Sequence, residues 1–436
     1  MIFAIVLFTT LFYGAVHQAV IAATYLSIGL MLAFTSADWF REGAIRVNPE
    51  PIQFILFAAA IYGLIQVIPF GTLPVTGGVD QISRTISLDP FATQISALHF
   101  AILGVYFSLV LIAFDSASRL RKFAIFITVF GFAYAFFAIL QSILSPTKIY
   151  GLLERAYAQP FGSFVSRNNF AAWMEMAIAV PMGMLFSGTI ERDKRLVYGT
   201  AVVLMGVSLI VSGSRGGLVV LLLEIGFLFF LTYSFRSRGQ AWLRVLMIVG
   251  LVFAIIAGTV FVGGETSLTR IGQEQGQPAD TVTRQQMWGV TLKMIGDNMP
   301  FGVGLGAFGV AYTRYDVASG FERVEQAHND FLQVVSDAGI VGGLLGIAFL
   351  AFLFRLGRRG LRVSNTYRRG IAAGSLAGIL GALVHSIFDF GLHTPSVAIL
   401  FLTLVGMLAA AGSSHDDDIL VDDGEQPRRR KRKPAV

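Results

Sequence analysis

The sequence predicts an all-α, polytopic membrane protein with about twelve transmembrane helices. Three observations lead there. Hydrophobic residues make up 55% of the 436 and charged ones only 14%, the mean hydropathy is +0.68, and apolar runs of membrane-crossing length recur along the chain. No soluble domain of this size presents that balance to water. A hydrocarbon core about 30 Å thick takes roughly 20 apolar residues per helix. Only helices or closed barrels satisfy the backbone inside it. The alternating segments of a barrel do not occur, whereas 47 Gly and 38 Phe suit helices that approach closely and fill their grooves with aromatic rings.

The spans are expected at about 2–15, 17–36, 51–70, 95–114, 123–144, 169–188, 196–212, 217–234, 243–263, 338–354, 371–390 and 393–412, the length rule setting each. Gly14, His17 and Gln18 mark the break between the first two. The start is apolar from Ile2 without a basic region, which reads as a retained first helix rather than a cleaved signal. Of the 33 Lys and Arg, 23 fall in the segments 37–50, 115–122, 189–195, 235–244, 355–370 and 413–436. The positive-inside rule therefore puts these segments, and both termini, in the cytoplasm. Residues 1–412 form the transmembrane domain. Residues 413–436, with Asp416 to Asp418, Asp422 and Asp423 ahead of Arg428 to Lys433, form a disordered charged tail, or one touching lipid head groups.

Three long segments fall on the opposite face, at 71–94, 145–168 and 264–337, and long loops in a compact fold carry function or disorder. The last holds a helix-like stretch from Thr281 to Asn298 and then the turn-forming run Pro300 to Gly306. Its alternating glycines are no dinucleotide fingerprint, since no strand precedes them. With no cysteine in the chain, thiol chemistry, disulfides and Cys-ligated metals are excluded.

Arginine on the outer face runs against the charge rule and needs a reason. Arg215 lies in Val211-Ser-Gly-Ser-Arg-Gly-Gly217, where glycines permit a tight turn into a helix start and free N–H groups favour an anion. A guanidinium adds a bidentate phosphate clamp; alternatively Arg215 pairs with Glu224 or Glu175. Arg167 opens a span in Ser166-Arg-Asn-Asn-Phe170. Arg284 and Trp288 share one helical face, which suits either a substrate carrying charge and a flat apolar surface or ordinary packing. His328, in Gln326-Ala-His-Asn-Asp330, stands before a span that Asn329 or Asp330 caps. Histidine ionises near neutral pH and is the natural general base, although solitary loop histidines are commonly inert. His385 and Asp389 lie four apart in the eleventh span. Ionisable groups there face the bundle interior, and a hydrogen bond between these two would lower their cost, in a supporting role or in proton transfer. A third metal ligand is not adjacent, and His393 lies outside the motif, so neither a metal nor a cofactor is expected.

Ser214-Arg-Gly-Gly217, Arg284 with Trp288, the Pro300 to Phe308 turn, Gln326 to Leu332 with Asp337 to Gly342, and His385-Ser-Ile-Phe-Asp389 together resemble the O-antigen ligase and Wzy-type polymerase superfamily. Their order and membrane placement match as well. The resemblance is strongest over residues 160–412. It implies an inverting, metal-independent glycosyltransferase of helical, GT-C-like architecture with a large periplasmic loop. Such an enzyme sits in the bacterial inner membrane and acts at its periplasmic face on glycans carried by undecaprenyl diphosphate. Carried over by motif, Arg215 and Arg284 bind the diphosphate and His328 activates the acceptor hydroxyl. Arg167 is a further anion-binding candidate and Trp288 a substrate contact; Asp330, His385 and Asp389 support them. The acceptor is another lipid-linked repeat unit in a polymerase for surface or exopolysaccharide, the favoured reading. It is lipid A core in a ligase and a hydroxyl in a protein O-oligosaccharyltransferase. A chain-length regulator or flippase is a possible companion, and nucleic acid is not a partner. A transporter for the same lipid-linked glycan is the competing class, but its polar groups would meet at the bilayer midplane, and here they crowd one face.

Overall fold

The computed structural model describes residues 1–72, 83–154, 159–233, 249–261, 282–316 and 323–413. Thr281 and the charged tail beyond Ser413 lie outside the described residues, as does the whole of the basic segment 235–244. The described chain is helical: α1 (Ile2–Leu11), α2 (Gln18–Glu42), α3 (Gln53–Gln66), α4 (Pro90–Ala113), α5 (Ala117–Leu144), α6 (Arg167–Phe186), α7 (Arg195–Val211) and α8 (Arg215–Tyr233). There follow α9 (Val249–Phe261), α10 (Arg284–Asp297), α11 (Phe308–Tyr312), α12 (Asp330–Leu361), α13 (Thr366–His385) and α14 (Pro395–Gly412). One small hairpin joins Lys148–Ile149 to Leu153–Glu154. Among the described residues, seven helices are long and apolar enough to cross a membrane, namely α2, α4, α5, α6, α8, α12 and α14, while α1, α3, α7 and α9 are shorter apolar helices. Each expected span coincides with one of these or with α13.

The core is built around α6, α13 and α14, which are buried along nearly their whole length. Small residues allow the tightest approach. A Cβ on Gly183 of α6 would stand 2.4 Å from the Gly374 Cα of α13, and one on Gly374 would stand 2.7 Å from the Ala179 carbonyl. Dispersion between backbones in such contact replaces the hydrophobic force that is missing between helices in lipid. An aromatic cluster of Tyr134, Phe164, Phe170 and Trp173 fills the α5 and α6 interface near the start of α6. By contrast α2 exposes most of its residues, including Leu26 and Phe34, as a peripheral helix facing lipid would.

Two boundaries differ from the sequence reading, both near the outer polar residues. Helix α13 ends at His385, and Ser386 to Phe390 form a turn rather than the end of a span. Helix α12 starts at Asp330, but Gly339 interrupts it with φ 56° and ψ −141°, so the expected start at 338 marks the break and not the end of the loop. The cause lies in the Pro300 to Gly306 run. The Pro300 carbonyl accepts from Ile340 N at 2.9 Å, the Asp337 carbonyl accepts from Gly304 N at 3.0 Å, and Gly306 N donates to Asp337 Oδ2 at 3.0 Å. Gln66 of α3 braces the same loop, donating to the Phe301 and Asp337 carbonyls and accepting from Leu305 N. A break needs its freed backbone groups satisfied, and this loop supplies the partners.

Candidate active site

Arg167, Arg215 and Arg284 are each the first residue of a helix, α6, α8 and α10. A cation at a helix N-terminus meets the positive end of the dipole, which is unfavourable by itself and becomes favourable when an anion binds between them. Local sequence fixes each start. Ser166 accepts from Asn168 N, Ser214 accepts from Gly217 N, and Thr283 forms a reciprocal capping box with Gln286. Gly213 turns the chain into α8 at φ +69°, and an added Cβ there would lie 3.4 Å from the Arg167 guanidinium. Arg167 and Arg215 thus flank one turn.

Asp389 is the meeting point of the remaining residues. Its Oδ1 accepts from His328 Nδ1 at 3.0 Å and from Phe390 N at 2.9 Å. Its Oδ2 accepts from Asn168 Nδ2 at 2.6 Å and lies 3.7 Å from the Arg284 guanidinium. Burial pushes this carboxyl up, but the His328 bond and charge, the Phe390 N–H and Arg284 outweigh it and hold Asp389 below the usual carboxylate range. When His328 is neutral, its bond to an ionised Asp389 requires the proton on Nδ1, which leaves Nε2 as the acceptor. The imidazole also meets the Phe390 ring edge-on at 4.7 Å between centroids. A cavity of about 230 Å³ opens beside His328 and Phe390.

The segment that carries His328 is held from several sides, as the His328 φ of 48° demands, since a non-glycine residue in that region is strained. Trp288 Nε1 donates to the Ala327 carbonyl at 3.1 Å and Ala327 N donates to Gln333 Oε1 at 2.7 Å. Asn329 caps α12 through Leu332 N and donates to the Ile387 carbonyl at 3.0 Å. Trp288, half-buried, therefore braces this segment through its indole N–H while sharing a face of α10 with Arg284. Asp330 is buried and accepts from Ser386 Oγ at 2.7 Å, Leu392 N at 3.3 Å and His393 Nδ1 at 2.6 Å. It fastens the turn that carries Asp389.

His385 and Asp389 do not bond to each other through their side chains. His385 Nδ1 pairs with Glu175 Oε2 at 3.0 Å, because the helix ends at His385 and the turn swings Asp389 away toward His328. Gly216 packs on the His385 ring, where a Cβ would lie 3.5 Å from Cε1, so the pair supports the start of α8. Neither Glu175 nor Glu224 pairs with Arg215; Glu224 has no hydrogen-bond partner among the described residues. Sequence reasoning passed over Asn168. Its signal was present in Arg167-Asn-Asn-Phe170, but an amide gains meaning only when its partner, 221 residues away, is known.

The segment from α7 into α12 holds three of these elements. Residues 200–347 match the O-antigen ligase family. The matched segment contains Arg215, Arg284, Trp288, His328 and Asp330, while Arg167, Asn168, His385 and Asp389 come to it from outside through the fold. Enzymes of this family transfer glycosyl groups as ligases or polymerases, and the match supports that type of function and membrane-embedded partners of the lipid-linked glycan class. No curated protein sequence matches the chain.

Proposed function

We propose that the protein is a metal-independent, inverting glycosyltransferase of the periplasmic face of the inner membrane, which passes a glycan from undecaprenyl diphosphate to a sugar hydroxyl as a Wzy-like polymerase. The observation that carries this reading is the Asp389 junction, which joins an oriented imidazole to Arg284 and, through Asn168, to the turn flanked by Arg167 and Arg215. His328 Nε2 takes the proton of the acceptor hydroxyl while that oxygen bonds to C1 of the donor sugar. The bond from C1 to the phosphate oxygen breaks with its electron pair, and the diphosphate leaves against the arginines. Fixed positive charge where negative charge develops, with in-line placement of the reactants, supplies the acceleration. Asp389 keeps the imidazole in the accepting tautomer and stabilises the imidazolium.

Orientation is tested by labelling. The chain contains no cysteine, so single cysteines at Asp297 on α10 and Ser364 between α12 and α13 report without background. Asp297→Cys is expected to react with an impermeant maleimide from the periplasm and Ser364→Cys only after permeabilisation. The reverse pattern would put the site on the wrong face for the donor.

The arginines are tested by charge-preserving change. Arg215→Lys and Arg284→Lys keep the charge but lose the planar fork that grips a phosphate through two parallel bonds. Each is expected to lower turnover about 10- to 100-fold with unchanged protein level, at roughly 1.4 kcal/mol per tenfold. Near-normal activity would assign these side chains to packing. Transfer to purified lipid A core in place of the repeat unit would make the protein a ligase, and donor crossing a liposome without elongation would make it a transporter.

A further inference from the structure

The cavity beside His328 differs in chemistry from the arginine-flanked turn. Among the described residues, Arg323 is the one arginine that lines it, and its Nε lies 2.6 Å from Glu325 Oε1. The described part of the wall is therefore nearly neutral, which suits a diphosphate poorly. Arg167, Arg215 and Arg284 do not line it. At about 230 Å³ it is smaller than the roughly 300–1,000 Å³ that holds a drug-sized ligand, which limits it to about one ring. One side is apolar, formed by Val282, Met287 and Phe390. The other carries Glu325 and the Gln326 amide, whose oxygen is shielded from water with no donor among the described residues. An enclosed amide oxygen without a donor is costly, and a turn about its broad last torsion presents either end of the amide to the cavity.

A sugar ring has matching faces, a C–H face that packs on an aromatic ring and an edge of hydroxyls. We infer that this cavity is the acceptor subsite, taking the terminal sugar ring of the acceptor glycan. Phe390 supports its C–H face, Gln326 and Glu325 bind its hydroxyls, and the attacking hydroxyl points to His328 Nε2. The donor phosphates occupy the arginine side, so the two substrates meet across the imidazole. Gln326 and Glu325 then select which sugar is extended, because a site built to bond a hydroxyl rejects an analogue that lacks it. This assignment rests on the glycosyl-transfer reading above.

The test uses purified full-length protein in detergent. The lipid-linked glycan pool extracted from host membranes serves as donor. The same glycan freed from its lipid by mild acid, and lipid A core in parallel, serve as acceptors. Gln326→Ala and Glu325→Gln are each expected to raise the acceptor KM about tenfold, the effect of one lost hydrogen bond, and to leave the donor KM within about twofold. Glu325 is largely exposed, so its change to Gln leaves the fold intact even if Gln326→Ala disturbs it. An unchanged acceptor KM in both variants, or a raised donor KM, would overturn the subsite. A wild-type protein that neither transfers nor hydrolyses the donor would instead overturn the glycosyl-transfer reading itself.

Discussion

His328→Gln is expected to lose about 10² to 10⁴ in turnover, the usual worth of a general base, while the donor still binds. Glutamine retains hydrogen-bonding capacity at this position but cannot take a proton. Binding of the lipid-linked donor, followed by its protection of the protein against heat, should match wild type because the arginines are untouched. His328→Ala should give the same loss and cause the donor to accumulate in cells. Wild-type turnover in the glutamine variant would make His328 a positioning group. Asp330 could not then simply replace it, since Ser386, Leu392 and His393 already occupy its oxygens.

Asp389→Asn is the companion experiment. The change is nearly isosteric, so a purely structural Asp389 would tolerate it with little effect on turnover. A neutral amide, however, can donate to His328 Nδ1, which moves the imidazole proton to Nε2 and removes the acceptor. Turnover is expected to fall by about 10² to 10⁴ with donor KM little changed. Loss of the anion also leaves Arg284 without its carboxylate at 3.7 Å. Because His328 and Arg284 hold Asp389 below the usual carboxylate range, its own titration should not appear in the rate profile between pH 5 and 8, where the variant and wild type are compared.

The helices were legible because bilayer physics demands long apolar runs, and the resemblance picked out Arg215, Arg284 and His328. The sequence could not show which histidine takes which acid. Spacing suggested His385 with Asp389, four apart on one helix, but that rule holds only while the helix lasts, and α13 ends between them. The actual pairs, His328 with Asp389 and His385 with Glu175, join residues 61 and 210 positions apart, distances at which local pattern carries no information. Trp288 was similarly ambiguous. Its place on the Arg284 face was visible, but the Ala327 carbonyl it holds belongs to a segment brought there by tertiary packing.

The break at Gly339 bears on how the protein meets bilayers of different thickness. A span longer or shorter than the local hydrocarbon accommodates the mismatch by tilting, and in an unbroken α12 that tilt would carry Asp330 and its neighbour His328 with it. At Gly339 the backbone instead abuts the Pro300 carbonyl so closely that a Cβ would stand 2.1 Å from the oxygen, while Asp330 to Ala338 remain tied to the outer turns. A lean of the part from Ile340 to Leu361, which Arg355 and Arg359 tie to Glu50, would pivot at this point rather than carry the imidazole with it. Hydrophobic mismatch taken up below the glycine would then leave His328, Asp389 and their neighbours in place, whatever the lipid around them.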